Sequence, residues 1–180
     1  VDTFIILGVI YLVIMGASSL YLKAPQQKHP TRTSKDRSTM YVHTNGMLAN
    51  DAMKTWQFGA LWWVFFINIT CGIGLLSLAS PMAQEAIGMT PRAAASLVGI
   101  IGICNGGGRI AWSTISDYLG RAQTYILFFI IEIVAFYLLA QTNSALTFQI
   151  LILLIITCYG GGFACMPAYL ADLYGIRQLS

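Results

Sequence analysis

Five stretches of this chain are each about as long as a bilayer is thick and nearly free of charge, and that limits what it can fold into. They cover residues 3–22, 58–79, 93–116, 122–140 and 146–170. A helix needs about 20 apolar residues to cross a hydrocarbon core roughly 30 Å thick. Lipid offers no partners to backbone N–H and C=O groups, so such spans are expected to be helical. The expected fold class is an all-α membrane protein with five transmembrane helices. Composition agrees, since only 9% of the residues are charged and the mean hydropathy is +0.69. A soluble domain carries about 25% charged residues, enough to coat a wet surface. This chain cannot.

The charges it has are gathered. Residues 23–55 hold six of the ten Lys and Arg residues, both histidines and two of the five prolines. The segment reads as a solvated linker. It divides the chain into a helix over 1–22, a loop over 23–55 and a four-helix region over 56–180. With the loop in the cytoplasm, Lys23, Lys28, Arg32, Lys35, Arg37, Lys54, Arg121 and Arg177 share that side, and only Arg92 lies opposite. That asymmetry sets the expected orientation of a multi-pass protein of the plasma or inner membrane. Basic residues confined to a linker do not make a nucleic-acid surface. An apolar run that begins at Thr3, with no basic segment before it and no small-residue cleavage site after it, is not expected to be a signal peptide. Both ends look cut, so the expected partners include further helices of a longer protein as well as the bilayer.

Four cysteines, Cys71, Cys104, Cys158 and Cys165, lie in apolar runs with no C-x-x-C pair and no neighbouring His. They read as reduced and buried, with no metal and no cofactor expected. Turn chemistry places the breaks at Ser80-Pro81 and Thr90-Pro91, at Asp117 to Arg121, and at Gln141 to Ser144. An internal echo links Ile69-Thr-Cys-Gly-Ile-Gly74 with Ile156-Thr-Cys-Tyr-Gly-Gly-Gly162, each followed by a proline.

Ionisable groups at membrane depth carry the chemistry. Arg at a helix centre costs about 2.5–3.5 kcal/mol, so Arg109 needs a partner or a task. It precedes Asp117 by eight residues, which puts it about 12 Å along the helix from the following turn. A guanidinium grips a carboxylate through two parallel hydrogen bonds, which suits a small organic anion. The other role open to it is pairing with a protein acid or snorkelling to headgroups. Glu132, midway along the fourth span, is a proton-coupling candidate or a hydrogen-bonded structural acid. Enzyme chemistry is not expected, because both histidines lie in the polar loop and only one acid is central in a span. The glycines from Gly99 to Gly108 follow no strand and do not form a dinucleotide fingerprint. Gly102-x-x-x-Gly106 is expected to admit a neighbouring helix, and Gly160 to Gly162 to pack or bend. Trp56, Trp62 and Trp63 suit an interfacial belt.

The segment Gly108-Arg-Ile-Ala-Trp-Ser-Thr-Ile-Ser-Asp117-Tyr-Leu-Gly120-Arg121 resembles the loop motif G-x-x-x-D-x-x-G-R of the major facilitator superfamily, with Ser113 in place of the first glycine. Asn105-Gly-Gly-Gly-Arg109, Asn68-Ile-Thr-Cys-Gly72, Ser80-Pro-Met-Ala-Gln-Glu85, Tyr159-Gly-Gly-Gly-Phe163 and Met166-Pro-Ala-Tyr-Leu-Ala-Asp172 together resemble the oxalate:formate antiporter family within it. The resemblance spans nearly the whole chain. It implies the sixth to tenth of twelve helices, and alternating-access transport of small carboxylates such as oxalate, formate or monocarboxylates. It also implies anion binding by Arg109 and a gating latch at Asp117, Gly120 and Arg121. Tyr159 and Phe163 fall on a helix that would line the cavity, and Asn68 and Thr70 on another. Each could meet the substrate or serve packing and interhelical hydrogen bonding.

Overall fold

The computed structural model describes residues 2–21 and 49–175, so residues 22–48, which make up most of the expected linker, and Arg177 lie outside it. The chain divides into two units, Val1–Arg37 and Ser38–Ser180. The described part of the first is one helix, α1 (Asp2–Tyr21). The second unit contains a single turn, α2 (Ala49–Ala52), and four long helices. These are α3 (Trp56–Glu85), α4 (Pro91–Leu119), α5 (Arg121–Leu139) and α6 (Ala145–Tyr174).

All four long helices are long and apolar enough to cross a membrane. The first expected span is helical as well, but its described apolar stretch, Thr3–Ser18, falls short of that length. Local chemistry explains most boundaries. Thr55 caps α3, accepting a hydrogen bond from the Phe58 N–H at 3.3 Å. Thr90 caps α4 in the same way, with Pro91 in the first turn, where a missing N–H costs nothing. Gly120 ends α4 at φ 95°, a left-handed conformation that side chains disfavour.

One expected break is not there. α3 continues through Ser80-Pro81 to Glu85, and the chain turns at Gly88 (φ 70°). A proline forfeits one backbone hydrogen bond, but Ala79 and Ala83 on either side of it are fully buried. Packing on both sides of the proline therefore holds the helix together. A single turn near the end of the expected linker is also helical, and its Ala52 is buried.

α6 is the centre of the second unit. It packs on α3, α4 and α5, and most closely on α4. Consecutive residues Cys158 to Gly162 are buried, as befits a helix apolar all round. The other three helices bury one stripe each and leave large apolar side chains exposed elsewhere. Two apolar clusters form the core. One contains Ala79, Leu97, Phe148 and Ile152, and the other Leu61, Phe128, Cys165 and Met166. The polar residues Asn68 and Glu132 fall between them in register along α3 and α5.

Candidate substrate-binding and gating sites

The glycine run of α6 fixes how closely the other helices approach. A Cβ at Gly160 would strike Asn105 of α4, and one at Gly161 would lie 2.6 Å from the Trp112 Cβ. At Gly162 it would strike the Asn68 amide of α3. From α5, the Tyr125 hydroxyl donates to the Gly162 carbonyl at 2.6 Å. All three neighbours therefore meet α6 at the same three residues. On the α4 side the reciprocal glycine is Gly108, where a Cβ would sit 2.5 Å from the Thr157 carbonyl oxygen. The expected Gly102-x-x-x-Gly106 contact is not made, since neither glycine has an atom within 4 Å of a built Cβ. Those two lie on the outward face of α4, and Gly108 lies on the inward one.

This close packing sets Arg109, the next residue on α4, beside α6. Its guanidinium carbon lies 5.7 Å from the centre of the Phe163 ring. Tyr159 and Phe65 each meet that ring edge-on, with centroids 5.2 Å apart. Such a cation over an aromatic face gains about 0.5–2 kcal/mol. Among the described residues no carboxylate pairs with Arg109, and the residue is exposed on the bundle surface. The structure thus brings Arg109, Tyr159 and Phe163 together and adds Phe65, which sequence reasoning missed. Its aromatic character and its spacing of three from Asn68 were the available signals.

Asn68 and Thr70 are placed elsewhere. Asn68 is fully buried, and its Nδ2 donates to Glu132 Oε1 at 3.4 Å. Thr70 turns its hydroxyl back to the Phe66 carbonyl at 2.8 Å and borders an apolar groove with Gly74, Leu78 and Phe136. Glu132 is itself only 3% exposed. Cys71 on α3 and Cys158 on α6, the matching cysteines of the two echoed segments, are close enough to feel its charge.

A second constellation joins the ends of three helices. Arg121, at the start of α5, holds Asp117 of α4 at 2.5 Å and Asp172 of α6 at 3.2 Å. A further guanidinium nitrogen donates to the Ser116 hydroxyl. Gly120 supplies the sharp turn that lets Arg121 reach back to Asp117. Asp172 had no assigned role in the sequence. Its signal was a single acid near the end of an otherwise uncharged span.

Bilayer-length helices around a glycine-packed central helix, with an unpaired cation and a buried acid at depth, define a multi-pass α-helical membrane protein. The chain belongs to the Major Facilitator Superfamily, whose sequence profile matches residues 3–178. Over 99% of its length it is 27% identical to the uncharacterized MFS-type transporter YhjX of Escherichia coli (strain K12), covering 43% of that protein. It is 30% identical to the oxalate:formate antiporter of Oxalobacter formigenes over 71% of the chain and 31% of the antiporter. It is 23% identical to the apicoplast pyruvate carrier 1 of Toxoplasma gondii over 96% of the chain and 36% of the carrier. The chain therefore spans less than half the length of these curated relatives. No solved structure matches it.

Proposed function

We propose that this chain forms part of a secondary transporter for small organic anions, working by alternating access, in which Arg109 binds the substrate carboxylate. The observation that carries the reading is a guanidinium within a membrane span, set over the Phe163 ring and free of any acidic partner among the described residues. Such a charge is retained at a cost of a few kcal/mol, and a visiting anion is a reason to retain it. The aromatic face restricts the guanidinium plane and leaves its edge N–H groups to grip a carboxylate. Tyr159 and Phe65 buttress Phe163 and set the orientation. Asn68 is engaged with Glu132 and Thr70 borders a separate groove, so neither belongs to the proposed anion contact.

Two named relatives act on small carboxylates, the oxalate:formate antiporter and the pyruvate carrier, which supports that substrate class. In this reading the Asp117–Arg121–Asp172 junction is a latch on the cytoplasmic side, with residues 23–55 on the same side. It ties α4, α5 and α6 into one rigid body that rocks against the other half of the protein.

The test uses the full-length protein in proteoliposomes loaded with oxalate, formate, pyruvate or lactate. Arg109→Ala abolishes exchange while insertion and expression persist. Arg109→Lys retains a weak residue of it, since an ammonium keeps the charge but not the two-pronged grip. Undiminished exchange by Arg109→Ala removes the site. Failure of the wild type to carry any carboxylate, with uptake of another solute, removes the substrate class.

A further inference from the structure

The buried pair of Glu132 and Asn68 has an unfilled hydrogen bond in it. Asn68 donates from Nδ2 to Glu132 Oε1 at 3.4 Å, but its own oxygen, Oδ1, is buried without a donor. Both residues are closed off from solvent, at 0% and 3% exposure. No cation pairs with Glu132 among the described residues. The ionisable groups close enough to feel its charge are the Cys71 thiol on α3 and the Cys158 thiol on α6, and no other is found among the described residues.

Consider the two protonation states. An ionised Glu132 is acceptor-only, so it cannot serve Asn68 Oδ1. It would also leave a full charge in the core with one long hydrogen bond to stabilise it, and burial of that kind costs several kcal/mol. A neutral carboxylic acid has one O–H donor and one carbonyl acceptor, and a primary amide has the complementary pair. Side by side they close a ring of two hydrogen bonds, in which the acid O–H donates to Asn68 Oδ1 and the amide N–H donates to the acid carbonyl. One proton removes the charge and fills the vacant acceptor at the same time.

We propose that Glu132 and Asn68 form a proton-binding site, in which Glu132 is a neutral acid that donates to Asn68 Oδ1 and so fastens α5 to α3. The ligand is a single proton exchanged with water. Its release breaks one of the two bonds between the helices and leaves a buried charge beside the Asn68 amide. The site shares no residue with the anion contact and does not depend on it. The two echoed segments meet close by in sequence, at Gly72 against the Tyr159 ring.

The experiment is infrared spectroscopy of the full-length protein in lipid nanodiscs, from about pH 6 to about pH 8, where exposed carboxylates are ionised. The wild type shows a protonated-carboxyl C=O band throughout, and Glu132→Gln lacks it. Asn68→Leu moves that band to higher frequency, because the carbonyl loses its amide donor. Should Asn68→Leu fail to insert, asparagine labelled with carbon-13 supplies the same information from a variant that keeps an amide in place. In Glu132→Gln the Asn68 amide carbonyl then rises in frequency as a strong acid donor gives way to a weaker one. Absence of a protonated-carboxyl band in the wild type overturns the proposal. So does a band unmoved by Asn68→Leu, or a labelled amide unmoved by Glu132→Gln. Carboxylate transport is not measured in any arm, so failure here leaves the Arg109 site to its own test.

Discussion

Gly108→Ala measures how tightly α4 and α6 are joined. The new methyl carbon would lie 2.5 Å from the Thr157 carbonyl oxygen and 2.7 Å from the Thr157 Cα. Carbon atoms in contact settle at about 3.5–4.0 Å, so the helices must separate by roughly 1 Å. Both obstructing atoms are backbone, and no rotamer change can absorb the clash. Overpacking of this kind costs about 1–3 kcal/mol. Alanine also gains up to about 1 kcal/mol over glycine in helix propensity, which would blur the result. Gly106 supplies the correction, since it lies two residues away on the same helix and has nothing within 4 Å of a built Cβ. Gly106→Ala takes the propensity gain without the clash. The difference between the two variants is then the contact alone, about 1–3 kcal/mol, or about 5- to 150-fold in the unfolding equilibrium. The assay is reversible unfolding in mixed micelles followed by tryptophan fluorescence, with Trp112 reporting because it packs on Gly161 of α6. Equal stability of the two variants would refute close α4–α6 apposition at Gly108.

Other perturbations read other parts of the bundle. Tyr125→Phe removes the donor to the Gly162 carbonyl and should cost about 0.6 kcal/mol, typical of interhelical hydrogen bonds in membranes, measured by the same unfolding assay. Gly120→Ala imposes a side chain on a backbone at φ 95° and ψ 145°; it should lose about 1–3 kcal/mol, while a glycine on an open face such as Gly102 tolerates alanine. A double-mutant cycle on Arg121→Gln and Asp172→Asn should give a coupling below about 1 kcal/mol, because the carboxylates are mostly exposed, and salt should reduce it. A coupling well above that, insensitive to salt, would mean the junction is buried in the working protein.

Membrane helices were easy to read from sequence because lipid imposes one rule on every residue of a span. The run from Phe58 to Ala79 needed nothing but apolar content to be assigned. Pro81 was misleading because a local rule about prolines was applied where tertiary burial of Ala79 and Ala83 decides the outcome. Gly102 and Gly106 misled for a related reason. Their spacing fits a helix contact, but spacing does not say which face of α4 turns inward, and Gly108 holds that face. Phe65 and Asp172 were missed since each acquires meaning only from a partner far along the chain, Phe163 for the first and Arg121 for the second. Asn68 and Thr70 are two residues apart and looked equivalent in sequence. A turn of 100° per residue sends one into the core and the other to a groove.

The central place of α6 explains why the residues proposed for binding and gating are found on its neighbours in the positions they are. A helix that is apolar all round can be surrounded, and three successive glycines let its neighbours come within backbone contact at one level. At that level Asn68, Asn105, Trp112 and Tyr125 have almost no freedom, since each rests on or bonds to the Gly160–Gly162 segment. Arg109 follows directly from Gly108, so its backbone position beside Phe163 comes from helix packing and not from a flexible loop. Ten residues further along α6 from Gly162, Asp172 meets Arg121, which puts the charged junction about 15 Å from the glycine level. A bend at Pro167, between Phe163 and Asp172, would therefore change the reach of Asp172 while leaving Arg109 and Phe163 in register. The aromatic ring behind the cation and the acid of the charged junction share one helix, and the proline between them removes one of that helix's backbone hydrogen bonds.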